Sequence, residues 1–318
     1  MSALGFASQL LEILVALALA PLLVGWVNQC RAWLQSRDGP GLLQPYRLLH
    51  KLFHKDSVVA ANASPLFRAA PYIVFGCMLL ACGIVPTLSI DLPLSPAADA
   101  IALVGLFALA RVFISLAAMD IGTAFGTLGA RREMLVGFLA EPALLMVFFT
   151  AALISDSTSL TTLVRTLSAQ ELGIQPSLAL AAVALVMVAL AENARVPVDN
   201  PATHLELTMI HEALVLEYSG RHLALLEWAA ALKLFAYAGI GIALFVPWGI
   251  AEAHAPLALA LALPVLLAKL AAVGFALALL ETLSAKMRIF RVPEFLGMAF
   301  MLAVIAMLVN LLLGNTGT

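Results

Sequence analysis

Ionisable side chains stand inside long apolar stretches of this sequence, where an unpaired charge is costly. These residues are Glu12, Arg111, Glu141, Glu192, Glu227, Lys233, Lys269 and Glu281. Burial raises the pKa of a carboxyl group and a nearby cation lowers it, so a line of such groups can exchange protons near neutral pH. We therefore predict a proton path, with local ion pairs between helices as the structural alternative. Its intramembrane members are Glu141, Glu192, Glu227 and Lys233.

A second group of titratable residues follows Glu192 directly. The stretch AENARVPVDNPATHLELTMIHEALVLEYSGRH occupies residues 191–222. It contains Asp199, Glu206, Glu212 and Glu217 beside His204, His211, Arg195 and Arg221. Asn200 and Pro201 favour the start of a helix and Gly220 its end, but the charges prevent this helix from crossing a bilayer. We predict a surface helix whose four acidic residues continue the path, with a structural salt-bridge network as the alternative.

The elements that carry these residues are predicted to be membrane helices. Of the 318 residues, 63% are hydrophobic and 11% are charged, whereas soluble domains carry about 25% charged residues. This composition excludes a water-soluble globular protein. A helix needs about 20 apolar residues to cross a bilayer, and eight stretches of the sequence qualify. They run approximately from Leu4 to Trp33, Ala69 to Ile90, Ala100 to Met119, Met134 to Ile154, Pro176 to Glu192, Leu223 to Val246, Leu257 to Leu283 and Phe295 to Leu313.

The predicted fold class is therefore all-α, a polytopic membrane protein with about eight transmembrane helices and additional amphipathic cytoplasmic helices. Residues 1–318 form a single integral membrane domain, with cytoplasmic loops over residues 34–68 and 193–222. The turns after spans one, three, five and seven hold 13 of the 17 basic residues, and the opposite face holds only Arg165. Because cytoplasmic loops carry the positive excess, both termini are expected on the outer, periplasmic side.

The loop over residues 34–68 has the character of a membrane-surface segment. A turn at Gly39, Pro40 and Gly41 is followed by apolar and basic residues at helical spacing, which indicates an amphipathic helix. This helix either rests on the lipid headgroups or helps to seat a partner. We predict a docking face for partner subunits on this side of the membrane. Its residues are Arg37, Arg47, Lys51, Arg195, Arg221, Arg288 and Arg291.

The residue types that bind metals and redox cofactors are sparse. Cys30, Cys77 and Cys82 lie in apolar runs without the clustered spacing of zinc or iron-sulfur ligands. His50 and His54 have the spacing of a helical pair but lack a third ligand nearby in sequence. We expect no cofactor or metal in this chain, so any electron chemistry belongs to a partner. The formal net charge of -2 leaves no basic excess for binding nucleic acid.

Several short motifs resemble a known family, the membrane subunit shared by respiratory complex I, there called subunit 1 or NuoH, and by energy-converting group 4 nickel-iron hydrogenases. The matching residues are Arg37, Gly39 and Pro40 after span one, Glu192, Asn193, Arg195, Pro197, Asp199 and Pro201 after span five, Glu217 to Gly220, and Arg291 to Glu294. The sequence from Asn200 to Gly220 is similar to that of the hydrogenase branch of the family, of the formate hydrogenlyase and hydrogenase-4 type.

The resemblance implies an anchor in the cell inner membrane. It would join the cytoplasmic hydrogenase large and small subunits and the iron-sulfur subunits to antiporter-like membrane subunits. The nickel-iron centre and the iron-sulfur clusters would lie in those partners, and this chain would perform no redox chemistry itself. Glu141, Glu192 and Glu227 stand at positions that resemble the buried glutamates of the family.

Three alternatives to the coupling subunit remain open from the sequence. The first is the quinone-binding subunit of a complex I-type NADH dehydrogenase, with a headgroup cavity under spans one and six and the segment from Asn200 to Gly220. The second is an independent secondary transporter. The third is a passive anchor whose ion pairs only hold helices together.

Overall fold

The structure is a computed structural model that describes residues 3–90, 93–94, 98–169, 175–199, 210–251 and 256–314. Its regular elements are α1 (Ala3–Leu34), α2 (Gln44–Phe53), α3 (Pro65–Ile84), α4 (Ala100–Asp120), α5 (Ala124–Ser155), α6 (Leu160–Ala169), α7 (Pro176–Glu192), α8 (His211–Val215), α9 (Gly220–Phe245), α10 (Pro256–Leu283), a 3₁₀ turn (Ile289–Arg291) and α11 (Val292–Gly314). The predicted all-α fold is confirmed.

Seven of these helices are long and apolar enough to cross a membrane, namely α1, α3, α4, α5, α9, α10 and α11. The remaining predicted span forms α7, which is apolar but has only 17 residues. At about 1.5 Å per residue it is about 25 Å long, somewhat less than the roughly 30 Å of a hydrocarbon core. The prediction of a polytopic membrane protein is confirmed. We call the end of the bundle at which α1, α4, α7 and α10 finish the basic end.

The fourth membrane helix begins earlier than the sequence indicated. The predicted span starts at Met134, but α5 starts at Ala124, so Arg131 and Arg132 are helical instead of lying in a loop. The hydroxyl of Thr123 caps the helix by accepting from the amide of Gly126 at 3.3 Å, which stabilises this start. The added turns bring a further acidic residue, Glu133, into the bundle.

The packing order places the last two membrane helices on different sides of the bundle. Helices α3, α4 and α5 pack in sequence, and α9 packs against α3 and α1. Helix α10 packs mainly against α1, whereas α11 packs against α5 and α7. The segment over residues 284–291 therefore crosses the basic end from one side to the other. Both helices expose large apolar side chains, such as Phe275 and Met301.

One of the two predicted surface helices is present as predicted, and the other is described only in part. Helix α2 is amphipathic as predicted, with Leu49 and Leu52 buried against Ala224 of α9 and with Lys51 exposed. The predicted helix over residues 200–220 corresponds only to the five-residue α8 within the described part of the chain, because residues 200–209 lie outside it. Gly220, predicted to end that helix, is the first residue of α9 and has a φ of 53°.

Candidate functional site: a buried charge array

Arg111 of α4 is the centre of a group of buried charges between the helices. It is 6% exposed, and each nitrogen of its guanidinium faces a different carboxylate. Its Nε lies 3.3 Å from Oε1 of Glu133, and its two terminal nitrogens form ion pairs with Glu141 and Glu192. A guanidinium has a rigid planar set of donors, so this contact fixes α4, α5 and α7 relative to one another.

The spacing of residues along α5 creates the pocket for this guanidinium. Glu133, Gly137 and Glu141 are four residues apart, a spacing that places side chains on the same face of a helix. The two carboxylates approach Arg111 from either side of Gly137. A Cβ on Gly137 would occupy the space of the guanidinium. The absence of a side chain at residue 137 is therefore what allows Arg111 to lie between the two glutamates.

Glu192 at the end of α7 joins a second cation to this group. Its Oε2 lies 2.8 Å from Nζ of Lys233 on α9, while its Oε1 contacts Arg111. Glu192 is 2% exposed, so both contacts occur away from solvent. We define the buried charge array as Arg111, Glu133, Glu141, Glu192 and Lys233, of which Glu141 keeps 31% of its side-chain surface exposed. Three carboxylates thus face two cations.

His211 and Asp199 extend the array toward the basic end. Nε2 of His211 lies 3.2 Å from Oε2 of Glu133, and its Nδ1 lies 3.9 Å from Oδ2 of Asp199. The same Asp199 oxygen accepts from the backbone amides of Ile210 and His211 at 3.3 and 3.4 Å. Nζ of Lys286 lies 3.7 Å from the other oxygen of Asp199. Asp199 therefore links α8 to the segment between α10 and α11.

The environment of His211 favours its protonated form. Burial by itself would lower the pKa of the imidazole, but the carboxylates of Glu133 and Asp199 outweigh that effect and raise the pKa above its usual value of 6.5. Lys233 acts in the opposite direction as a smaller contribution. A protonated His211 would supply the positive charge that the three carboxylates of the array lack.

A cavity of about 420 Å³ opens beside the array. Side chains of α1, α2, α4 and α9 contribute an apolar wall, which includes Val24, Leu49 and Phe107. The polar lining residues are Asn28, Gln44, Arg111, Glu133, Asn193, Arg195, His211, Glu212, Glu227 and Lys233. The cavity therefore reaches both His211 and the interior of the array.

A separate pair of contacts closes the basic end beside the cavity. Glu281 of α10 is buried, and its two oxygens lie 3.1 Å from Arg195 and 3.5 Å from Arg31. The backbone amide of Met287 donates to the carbonyl of Pro197 at 2.9 Å. These contacts join the segment after α10 to the segment after α7, which carries Asp199.

The predicted path residues separate into three groups. Glu141, Glu192 and Lys233 belong to the array, and Asp199 contacts it through His211. Glu212 and Glu227 line the cavity instead. Glu217 is exposed between α8 and α9, and Glu206 lies outside the described residues.

The predicted docking residues are mostly on the surface. Those exposed at the basic end are Arg37, Arg47, Lys51, Arg221, Arg288 and Arg291. Arg195 differs, since its guanidinium is held by Glu281. Within the described part of the chain, no three His, Cys, Asp or Glu side chains are grouped as metal ligands would be.

Sequence reasoning did not assign Glu133, His211 or Lys286 to the site. Glu133 follows two arginines and therefore resembles a loop residue, although its spacing of four from Gly137 and eight from Glu141 is a signal for one helical face. His211 was recognisable only as one member of the titratable cluster. The contact of Lys286 with Asp199 joins residues 87 positions apart in sequence, for which no local pattern exists.

Fold and site together define a class: a multi-pass helical membrane protein with a buried ion-pair array that is open to one end through a cavity. The chain belongs to the NADH dehydrogenase family, whose model matches residues 8–313. The resemblance inferred from the sequence is therefore confirmed.

Two relatives from Escherichia coli (strain K12) cover almost the whole chain. Formate hydrogenlyase subunit 4 is 33% identical over 297 residues, which are 93% of this chain and 96% of the relative. Hydrogenase-4 component C is 32% identical over 299 residues, with 93% of each chain covered. These relatives and the family support a membrane subunit of an oxidoreductase complex.

A solved structure shows the same fold. It is a chain in the structure of the membrane-bound sulfane sulfur reductase, an archaeal respiratory membrane complex. The TM-score is 0.79 at 22% sequence identity, and the match covers 95% of this chain and 98% of the other. At this identity the likeness concerns the fold alone.

Proposed function

We propose that this chain is the membrane anchor and coupling subunit of a multi-subunit oxidoreductase. It would join cytoplasmic hydrogenase and iron-sulfur subunits to antiporter-like, ion-translocating membrane subunits. The nickel-iron centre and the iron-sulfur clusters would lie in the partners. Support for the hydrogenase type comes from the two relatives that match over 93% of the chain. The localisation proposed with it is the cell inner membrane, with both termini on the periplasmic side.

The single observation that carries the coupling role is the continuity of the buried charge array. Ion-pair contacts connect Glu141 to Glu192 and Lys233 through Arg111, and connect Arg111 to Asp199 through Glu133 and His211. Such buried groups cannot change charge independently, because their interaction energies are large at low dielectric. A proton that enters at one end therefore changes the charge balance at the other.

The composition of the array suits it to bind and release one proton. Three carboxylates face two permanent cations, so one negative charge is uncompensated when His211 is neutral. A buried, uncompensated carboxylate is strongly disfavoured. Protonation within the array removes this cost, and release of the proton restores it. Electron transfer in docked subunits could drive this cycle if it changes the charge or position of groups at the basic end.

The exposed cations of the basic end form the proposed docking face for the soluble subunits. Arg37, Lys51 and Arg288 come from three separate segments and are exposed. Exposed ion pairs contribute only about 0–1 kcal/mol each, so the three must be reversed together to release a partner. We expect the Arg37→Glu, Lys51→Glu, Arg288→Glu triple variant to insert in the membrane but to lose the soluble subunits on purification.

The matched control for this docking test is Arg165→Glu, because Arg165 is an exposed arginine at the opposite end of the bundle. This variant should retain every partner. Full retention of the soluble subunits by the triple variant would contradict the docking face.

The cavity supports a second candidate, the quinone-binding subunit of a complex I-type enzyme. Its volume of about 420 Å³ and its combination of an apolar wall with polar residues at one side are typical of small-molecule sites. The two proposals differ in a direct assay on the purified complex. The hydrogenase type should turn over hydrogen with a low-potential carrier and ignore quinone-site inhibitors, whereas inhibitor-sensitive quinone reduction would establish the second candidate.

A further inference from the structure

His211 is held between two carboxylates on opposite sides of its ring. Its Nε2 faces Glu133 of the array at 3.2 Å, and its Nδ1 faces Asp199 near the basic end at 3.9 Å. An imidazole can accept a proton at one nitrogen while it donates a proton from the other. The 3.2 Å contact brings Nε2 close to Oε2 of Glu133 without hydrogen-bond geometry, so a small ring rotation precedes transfer there. One water molecule or the same kind of rotation would bridge the longer contact.

The charged residues near His211 come from several elements in the described part of the chain. Glu133 belongs to α5, Arg111 to α4, Lys233 to α9 and Glu212 to α8 itself. Asp199 follows α7, and Lys286, which contacts Asp199, follows α10. Only His211 among them combines contact with the array, contact with Asp199 and a place in the cavity wall.

Helix α8 holds the imidazole firmly in this place. Asp199 accepts from the first amides of α8, at residues 210 and 211. Gly129 of α5 permits close approach, since a Cβ there would lie 2.7 Å from the Cβ of Ala213. The side chain of His211 still keeps 26% of its surface exposed, toward the cavity that it lines. The ring is therefore positioned against Glu133, with both of its nitrogens buried and without hydrogen-bond partners among the described residues.

We propose that His211 is the proton relay between the basic end and the buried charge array, an inference that rests on the proposed function. A proton binds at Nδ1 from the Asp199 side, and the proton on Nε2 moves to Oε2 of Glu133. The ring is left neutral with its proton on Nδ1. Transfer of that proton to Nε2 through the ring's reorientation or through cavity water restores the starting tautomer. Each cycle delivers one proton to Glu133 and consumes one from the basic end.

The charge balance of the array permits this transfer. Protonated His211 compensates the excess negative charge of the array from outside, and protonated Glu133 compensates the same charge from inside. The two states therefore have equal total charge, and the proton moves without leaving a new unpaired ion in the membrane. A relay also requires a small energy difference between the two states, because a large difference would trap the proton.

The test uses His211→Ala in the intact complex, reconstituted in sealed vesicles. The readout is the rate at which membrane potential develops, divided by the rate of hydrogen turnover. We choose the potential because imidazole, a permeant base, would itself dissipate a pH gradient. Positioned proton-transfer groups typically contribute about 100-fold or more, so the ratio should fall by about that factor in the variant. Added imidazole should enter the cavity and restore a substantial part of it.

Three control variants make the outcome specific. His222→Ala removes another buried histidine that does not contact the array, and its ratio should stay at the wild-type value. His211→Gln keeps a polar side chain of similar reach and replaces His211→Ala if the alanine complex fails to assemble. Its ratio should fall, and imidazole should not restore it. Imidazole should not restore the ratio in Glu192→Gln, because that substitution leaves His211 intact and removes a carboxylate that imidazole does not replace.

The results separate the relay from the proposed function. An unchanged ratio in both His211 variants, beside a lowered ratio in Glu192→Gln, would overturn the relay and leave the coupling role standing. Unchanged ratios in all three would overturn the coupling role as well. A loss in His211→Ala that imidazole fails to restore would make His211 a structural ion-pair partner and would also overturn the relay.

Discussion

Two buried glutamates of this protein have the same residue type and nearly the same burial but opposite surroundings. Glu192 is 2% exposed and contacts the cations Arg111 and Lys233. Glu12 is 1% exposed, and its Oε1 accepts from the amide and hydroxyl of Thr87 at 2.6 and 2.7 Å and from the amide of Leu88 at 3.2 Å. No cation pairs with Glu12 in the described part of the chain.

Under the proposed function, connection to other charges, more than burial, would distinguish a coupling residue in this fold. Oε1 of Glu12 accepts only from the segment that follows α3, and its Oε2 has no hydrogen-bond partner among the described residues. Glu192 belongs to a continuous series of ion pairs that reaches Asp199 at the basic end. A change of charge at Glu192 would therefore alter the ion pairs of several helices, whereas a change at Glu12 would alter hydrogen bonds to one loop.

The strongest way to break the Glu192 side of this comparison is to remove Arg111, one of its two cations. Arg111→Leu would leave three carboxylates facing one lysine. Removing one partner of a buried ion pair typically costs about 3–5 kcal/mol, so we expect a loss of unfolding free energy of at least this size. Arg111→Lys should lose less, because it keeps the charge but contacts fewer carboxylates. Unfolding of the purified subunit by denaturant compares the two, and equal stability of Arg111→Leu and wild type would contradict the importance of this contact.

The space beside Arg111 gives a smaller and more specific perturbation. Gly137→Ala places a methyl group where the guanidinium lies, and overpacking of this kind typically costs about 1–3 kcal/mol. Gly105→Ala is the matched control, because Gly105 stands in another membrane helix with open space around it. That change should be neutral, or stabilising by up to about 1 kcal/mol. Thermal unfolding measures the difference in stability between the two variants. Equal stability would show that the guanidinium can move aside freely.

The pH dependence of stability sharpens the comparison at the edge of the array. His211 has a pKa above 6.5 in the folded protein because of Glu133 and Asp199, so its protonation stabilises the fold. This contribution is fully present below pH 6.5 and is lost as the pH rises through the higher folded-state pKa. The stability difference between wild type and His211→Gln should therefore shrink across that window. A difference that stays constant with pH would show that His211 acts only by packing.

The sequence was sufficient for the fold and for part of the array. Apolar length predicted the membrane helices, and charge within apolar runs identified Glu141, Glu192 and Lys233. The sequence also placed Glu227 in the same path, but about 3.6 residues form one turn, so Glu227 and Lys233, six residues apart, point in different directions from α9. Glu227 lines the cavity, whereas Lys233 contacts Glu192.

The pairings themselves could not be predicted from local pattern. Arg111 meets carboxylates 22, 30 and 81 residues away, and these meetings depend on how α4, α5 and α7 pack. The interhelical packing also determines that Glu281 binds Arg31 and Arg195, which are both distant from it in sequence. Sequence periodicity defines which residues share a face of one helix, but the partner of that face is a property of the assembled bundle.

The most direct test of the coupling account compares Glu192→Gln with Glu12→Gln in the intact complex. Both changes keep the size of a buried side chain and remove its ability to titrate. Sealed vesicles allow hydrogen turnover and the proton gradient to be measured on the same preparation. The account predicts that Glu192→Gln assembles but moves severalfold fewer protons per hydrogen turned over, while Glu12→Gln keeps the wild-type ratio. An unchanged ratio in assembled Glu192→Gln complex would contradict the account and make the array a structural ion-pair network.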